Sequence, residues 1–303
     1  MSLYAALIPF LLLALAGCAH PRGAPVFDCA PRTMPTVRLT RLPEVVVQRN
    51  LDLVNLTNRG RLGVLRTLFE TFGCTSPSLV EKSTRPFRLP NLSCSLPGEL
   101  ADVIVVGAHF DKPSGSTGLV DNWSGASLLP ALWLSLSHHR RRHSFEFVAF
   151  AAEERGLVGS TSFVSSLDAE QVHRIKAMVN IDGLGTGPLR ADVGHSDPEL
   201  VCDFWATSAL IDMPVRANRS PAGVSGDFEP FRRVGVPVID LSSLTNRGAS
   251  SDRTPPDAPE SIDERTYHDS YRLLAVYLAM LDERLQARDG DAGAPGALPN
   301  EAR

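Results

Sequence analysis

An imidazole and several carboxylates stand where apolar runs of this chain give out. VIVVGAHFD ends in His109 and Asp111, FEFVAFAAEE ends in Glu153 and Glu154, and KAMVNID ends in Asp182. Asp121 follows a glycine-containing stretch and precedes a further apolar run. A buried carboxylate is costly unless it is paired or bound to a cation. Converging carboxylates without a basic partner repel one another, and a divalent metal removes that repulsion. Histidine together with Asp and Glu is a zinc-type donor set. Helix capping is the competing account for Asp121 and Asp182 taken singly, but caps do not call for His109 as well.

Positioning these groups requires strands that emerge side by side. The run 103–107 is continuously hydrophobic, as a strand covered on both faces is, and 145–151 and 176–182 are mostly apolar. Helical patterns at 124–137 and 156–166 separate them. This alternation predicts an α/β fold with a mixed, mostly parallel central sheet flanked by helices, its chemistry at the carboxyl ends of the strands. A helix over 58–73 presents Leu62, Leu65, Leu68 and Phe69 on one side and stops at Gly73. Helices at 197–210 and 262–286 and a strand at 236–241 complete a single domain over 39–286.

The composition, 43% hydrophobic and 21% charged over 303 residues, is that of an ordinary globular protein. A formal net charge of -4, with no basic stripe beyond HHRRRH at 138–143, gives no sign of a nucleic-acid partner, and none is expected. That short run reads as the solvated end of a helix. At the N-terminus, LIPFLLLALAGC is too short to span a bilayer comfortably, and its close, Leu15-Ala16-Gly17-Cys18, resembles the bacterial lipobox. The expectation is a signal peptide over 1–17, lipidation at Cys18 as the membrane contact, a tether over 18–38 and a disordered tail over 287–303. The protein would then be exported and lipid-anchored in the bacterial cell envelope, facing the periplasm. Cys29, Cys74, Cys94 and Cys202 remain for disulfides in an oxidising compartment, with Cys74–Cys94 favoured because the two flank one loop-rich segment.

GAHFD, DNWSGA, FAAEERGLVGS and NIDGLG resemble, in order and spacing, the motifs of the di-zinc aminopeptidases of peptidase family M28. The likeness runs over about residues 40–285 and implies the three-layer fold of that family and a peptide substrate. It also implies roles. His109 binds one zinc, Asp121 bridges two, Glu154 binds the other and Asp182 completes the first. Glu153 is the general base, and Asp111 orients the His109 ring, as metal-bound imidazoles require. Two zinc ions roughly 3.5–4 Å apart share a water, lower its pKa and polarise a carbonyl. SGDFEPFRRVGVP, residues 225–237, is similar to the segment lining the family's substrate pocket, which makes Asp227, Phe228 and Phe231 candidates to face substrate. Core packing accounts for the two phenylalanines equally well.

The match breaks in one place. The family takes its last histidine ligand from a loop reading YHTPxDT, whereas this chain has SDRTPPDAPESID at 251–263, with Arg253 at the histidine position. A guanidinium stays protonated and has no lone pair for zinc. His268 or Asp252 is then the candidate fifth ligand. Otherwise the centre holds one zinc, or none with Arg253 paired to Glu154. Three functions follow: an aminopeptidase, a glutaminyl cyclase-like acyltransferase, or a degenerate peptidase fold serving as a binding scaffold. No GxSxG elbow supports serine catalysis. His195, in a polar turn, is expected at the surface.

Overall fold

Ile104, Val105, Val106 and Ala108 are completely buried, as a strand covered on both faces requires, and they lie inside an eight-stranded sheet. The computed structural model describes residues 29–221, 223–244 and 257–291. The expected signal peptide, Cys18, Asp252, Arg253 and residues 292–303 lie outside the described residues. The chain opens with α1 (Glu44–Asp52), α2 (Asn58–Thr71), the hairpin β1 (Leu79–Thr84) and β2 (Phe87–Leu96), and β3 (Val103–His109). Then come α3 (Ser124–Ala126), α4 (Leu129–Ser137), β4 (Ser144–Phe150), α5 (Val158–Ser165), α6 (Ala169–Arg174) and β5 (Ile175–Ile181). β6 (Arg190–Asp192), α7 (Pro198–Leu210), β7 (Arg216–Asn218), α8 (Phe228–Arg233), β8 (Val238–Ser242) and α9 (Glu264–Asp291) follow.

Strand order is β1-β2-β4-β3-β5-β8-β6-β7. β4, β3, β5 and β8 are parallel, and β2 and β6 join this block antiparallel. The expected mixed, mostly parallel α/β sheet is therefore the observed one, and its parallel block brings four carboxyl ends to one edge. One face packs Leu65, Phe69, Leu132, Phe204 and Tyr277 from α2, α4, α7 and α9. The other packs Phe163 of α5 and Phe228 and Phe231 of α8 against Val105, Phe150 and Met178. Phe150, Phe163 and Phe231 meet at centroid separations of 5.7–6.1 Å, and each such pair contributes about 0.5–1.5 kcal/mol beyond its buried area.

Several local expectations are corrected. The β1–β2 hairpin went unread because β1 buries only its two ends, Leu79 and Thr84, so it carries no period of two. The expected helix 124–137 is broken: a turn at Leu119–Trp123 leads into α3, and α4 begins only at Leu129. Helix α9 runs to Asp291, so residues 287–291 are helical rather than part of a disordered tail. From Cys29 onward the expected tether is fastened to the domain. Cys29 is bonded to Cys202 of α7, and Arg32 reaches Asp203 at 2.6 Å and Glu199 at 2.9 Å. The second disulfide is Cys74–Cys94, the favoured pair.

Candidate metal centre

β3 delivers His109 to the carboxyl edge with only 2% of its surface exposed. Its Nδ1 lies 3.2 Å from the Asp111 carbonyl oxygen and 3.7 Å from the Asp111 carboxylate. Its Nε2 faces two other acids, Asp121 Oδ1 at 3.1 Å and Asp182 Oδ1 at 3.6 Å. A ring nitrogen holds at most one proton, so one Nε2 cannot satisfy both carboxylates.

Each acid reaches this point on its own loop. Beyond β4, Ala152 takes a left-handed φ of 57°, and a single 3-10 turn over Glu153–Arg155 turns both glutamates toward His109. The buried Asp111 carboxylate fastens that turn, accepting from the backbone N–H of Glu153 at 2.9 Å and of Glu154 at 3.3 Å. Asp111 thus acts twice: its carbonyl orients the ring, and its side chain positions the glutamate pair. Asp182 follows β5, and Gly183 behind it has φ 79°, where an added Cβ would meet Leu244 Cδ1 at 2.5 Å. Asn122 ties this loop to that of Asp121. Its Oδ1 accepts from Gly183 N at 3.0 Å and its Nδ2 donates to the Ile181 carbonyl at 2.8 Å.

Sequence reasoning gave no role to Asn122, Arg61 or Asp257. Asp257 accepts from Val120 N at 2.8 Å, from Gly118 N and from the hydroxyls of Ser116 and Thr117, bracing the loop that carries Asp121. Completely buried Arg61 donates to the Asn55 carbonyl at 2.9 Å and the Phe110 carbonyl at 3.1 Å, and also to that of Thr117. The run TPPD was legible as part of the family motif; the cradle it enters was not.

Among the described residues, one ligand atom each from His109, Asp121 and Glu154 lie within 4.8 Å of one another. Burial pulls the His109 pKa down, but the carboxylates of Asp111 and Asp121 and the charge of Glu153 hold it well above its ordinary value. Burial pushes Glu153 up to about 7; His109 eases this, and Asp227, Asp121 and Glu154 add to it. Glu154 is raised by burial and then by Asp121. The site thus carries more negative charge than one imidazole can balance. That excess, with imidazole nitrogen and carboxylate oxygen as donors, fits a zinc ion. Glu153 stands beside the trio rather than in it, free to handle a proton.

The remaining candidates lie elsewhere. Phe228 and Phe231 are buried at 1% and 0% exposure in the second core, as the packing account expects. Asp227 is buried too; its pKa is pushed up to about 6 by burial, eased by His109 and the Ser160 hydroxyl. It adds charge beside Glu153. His268 is outside the donor group and stacks on Tyr271 at 5.8 Å within α9, so helix packing accounts for it. His195 is half-buried rather than fully exposed: its ring sits 5.4 Å from Phe228, and its Nδ1 is 3.1 Å from Asp192.

Comparison with known proteins places this geometry. The sequence profile of Peptidase family M28 matches residues 91–278. Leupeptin-inactivating enzyme 1 of Streptomyces exfoliatus is 30% identical over 186 residues, covering 59% of this chain and 42% of that protein. The matched part of this chain therefore spans less than half the length of that curated relative. LapA aminopeptidase of Legionella pneumophila shares the fold with a TM-score of 0.68 at 22% identity, over 78% of this chain and 72% of that one. A glutaminyl cyclase from an Acidobacteriales bacterium does so with a TM-score of 0.67 at 17% identity, over 84% of this chain and all, 100%, of its own.

Proposed function

The chain belongs to peptidase family M28, and from that premise we propose that it is a zinc-dependent aminopeptidase of the bacterial cell envelope. The observation that carries the reading is His109 Nε2 facing Asp121 and Asp182, with a Glu154 oxygen within 4.8 Å of the His109 and Asp121 donors and Glu153 left over beside them. His109, Asp121, Glu154 and Asp182 would hold the metal, which when bound supplies Lewis acidity and lowers the pKa of water. Glu153 takes a proton from the attacking water and returns it to the leaving amine. The Asp111 carboxylate, gripping both glutamate N–H groups, keeps the Glu153 carboxylate on the same side as His109.

Release of a chromophore from aminoacyl anilides, with and without added zinc, tests the reading. Activity lost to a chelator, restored by zinc and absent in Glu153→Gln supports it. Folded protein inert at every zinc load is the scaffold outcome, and cyclisation of an N-terminal glutamine peptide without hydrolysis is the acyltransferase one. Arg253 stands where the family places a histidine, which favours a single tightly held zinc. Arg253→His is expected to raise zinc content on elemental analysis from about one ion per chain toward two; unchanged content overturns that assignment.

For location, the two disulfides support an oxidising compartment, and among the described residues no helix is long and apolar enough to cross a membrane. Anchoring by acyl-Cys18 is the proposed attachment. Cys18→Ser should move the protein from the membrane fraction to the soluble fraction, and retention on the membrane would refute the anchor.

A further inference from the structure

Beside the metal centre lies a cleft of about 550 Å³ whose wall includes Glu154 and Asp111. The same wall carries Arg59 from the first turn of α2, Arg88 from β2, Lys112 from the loop after β3 and Arg155 from the turn after β4. Segments remote in sequence thus place a cation each on one surface, in a protein whose net charge is -4. Arg59, Arg88 and Arg155 are exposed and form no ion pair among the described residues. Among the described residues, Lys112 Nζ donates to the backbone carbonyls of Ser116 at 2.6 Å and Pro113 at 3.3 Å and to no carboxylate. The two acids on this wall do not neutralise the cations. Asp111 is engaged by the backbone of Glu153 and Glu154, and Glu154 belongs to the donor trio. A cleft lined by one sign of charge focuses its field and concentrates ligands of the opposite sign.

Resting on the aminopeptidase reading, we propose that this cleft is a substrate subsite of the metal centre and selects peptides that carry carboxylates close to the bond being cut. The carboxylate comes from an Asp or Glu side chain or from the C-terminus of a short peptide. Either pairs with guanidinium groups in the fork geometry that arginine favours. No covalent step beyond peptide hydrolysis is involved.

The test uses the zinc-loaded full chain and four tetrapeptides: Leu-Glu-Glu-Ala and Leu-Gln-Gln-Ala, each as free acid and as C-terminal amide. The Glu amide is expected to exceed the Gln amide in kcat/KM by about tenfold at low salt, the sum of several exposed charge pairs. The ratio should shrink as salt rises. The free acid of the Gln peptide, set against its amide, isolates the contribution of the terminal carboxylate. The double variant Arg88→Gln/Arg155→Gln should bring both ratios toward one, while Arg174→Gln, on α6 and outside the cleft wall, should leave them unchanged. Ratios of one in wild type, or ratios untouched by the double variant, overturn the proposal. Should no peptide be cut, the peptidase reading has failed separately, and calorimetric Kd values for the same peptides must show the same ordering for the cleft assignment to stand.

Discussion

Two buried histidines face carboxylates at opposite ends of the sheet, and only one of them belongs to the proposed metal centre. His143, just before β4, is completely buried, with Nδ1 2.9 Å from Asp282 Oδ1. Asp282 also accepts from the backbone N–H of Arg142 at 2.9 Å and of His143 at 2.7 Å. One carboxylate meets three donors, and the pair closes the end of α9 onto the sheet without a metal. His109, at the far end of the neighbouring strand, meets Asp111, Asp121 and Asp182, with Glu153 and Glu154 close by. There the acceptors outnumber the donors. The ratio of carboxylates to donors, rather than the presence of a buried histidine, separates a structural pair from a metal centre.

The sharpest break is at Glu153. Glu153→Gln keeps the shape and removes the proton acceptor, so kcat should fall by about 10²–10⁴-fold while zinc content stays at the wild-type level. A matching loss of zinc would instead make Glu153 a ligand. Exchanging the histidines tests the comparison directly. His109→Ala should bring zinc content to background and make the melting temperature indifferent to chelator. His143→Ala should leave zinc content unchanged and lower unfolding free energy in urea by about 1–3 kcal/mol, because the Asp282 carboxylate loses its side-chain donor. Equal zinc loss in both variants would erase the distinction.

The smallest effect is a slope in pH. Burial pushes Glu153 and Asp240 each up to about 7, so in metal-free folded protein both hold protons that the unfolded chain has released. His109, held above its ordinary value, has the same sign. The folded state therefore binds more protons, and the stability of the metal-free protein should fall as pH rises from about 5 to about 8. Zinc should counter this, because its ligands bind deprotonated. A melting temperature that rises with pH in chelator would contradict the burial of these acids.

Much of the site was legible because its signals are local. Apolar runs that end in His109, Glu153-Glu154 and Asp182 mark strand ends wherever the strands lie, and interleaved helical periods require a parallel sheet. Phe228 and Phe231 stayed undecided in the sequence because the same apolar residues serve a pocket or a core, and their packing against Phe150 and Phe163 is a tertiary outcome. The β1–β2 hairpin lacked alternation, and the cradle around Asp257 joins residues more than a hundred positions from it, beyond any periodic signal. The Cys29 clasp was equally hidden, since its partner is 173 residues away.

By itself, then, the amino-acid order determined the types of donor, their sequence along the chain and the strand ends that present them, since each follows from hydrophobic periodicity over a few residues. Only the tertiary structure decided which carboxylates share the His109 ring, which is taken by the backbone of Glu153 and Glu154, and that four cations border the same cleft. Those outcomes depend on register and loop closure between segments far apart in the chain, which set distances of a few ångströms that no local pattern encodes.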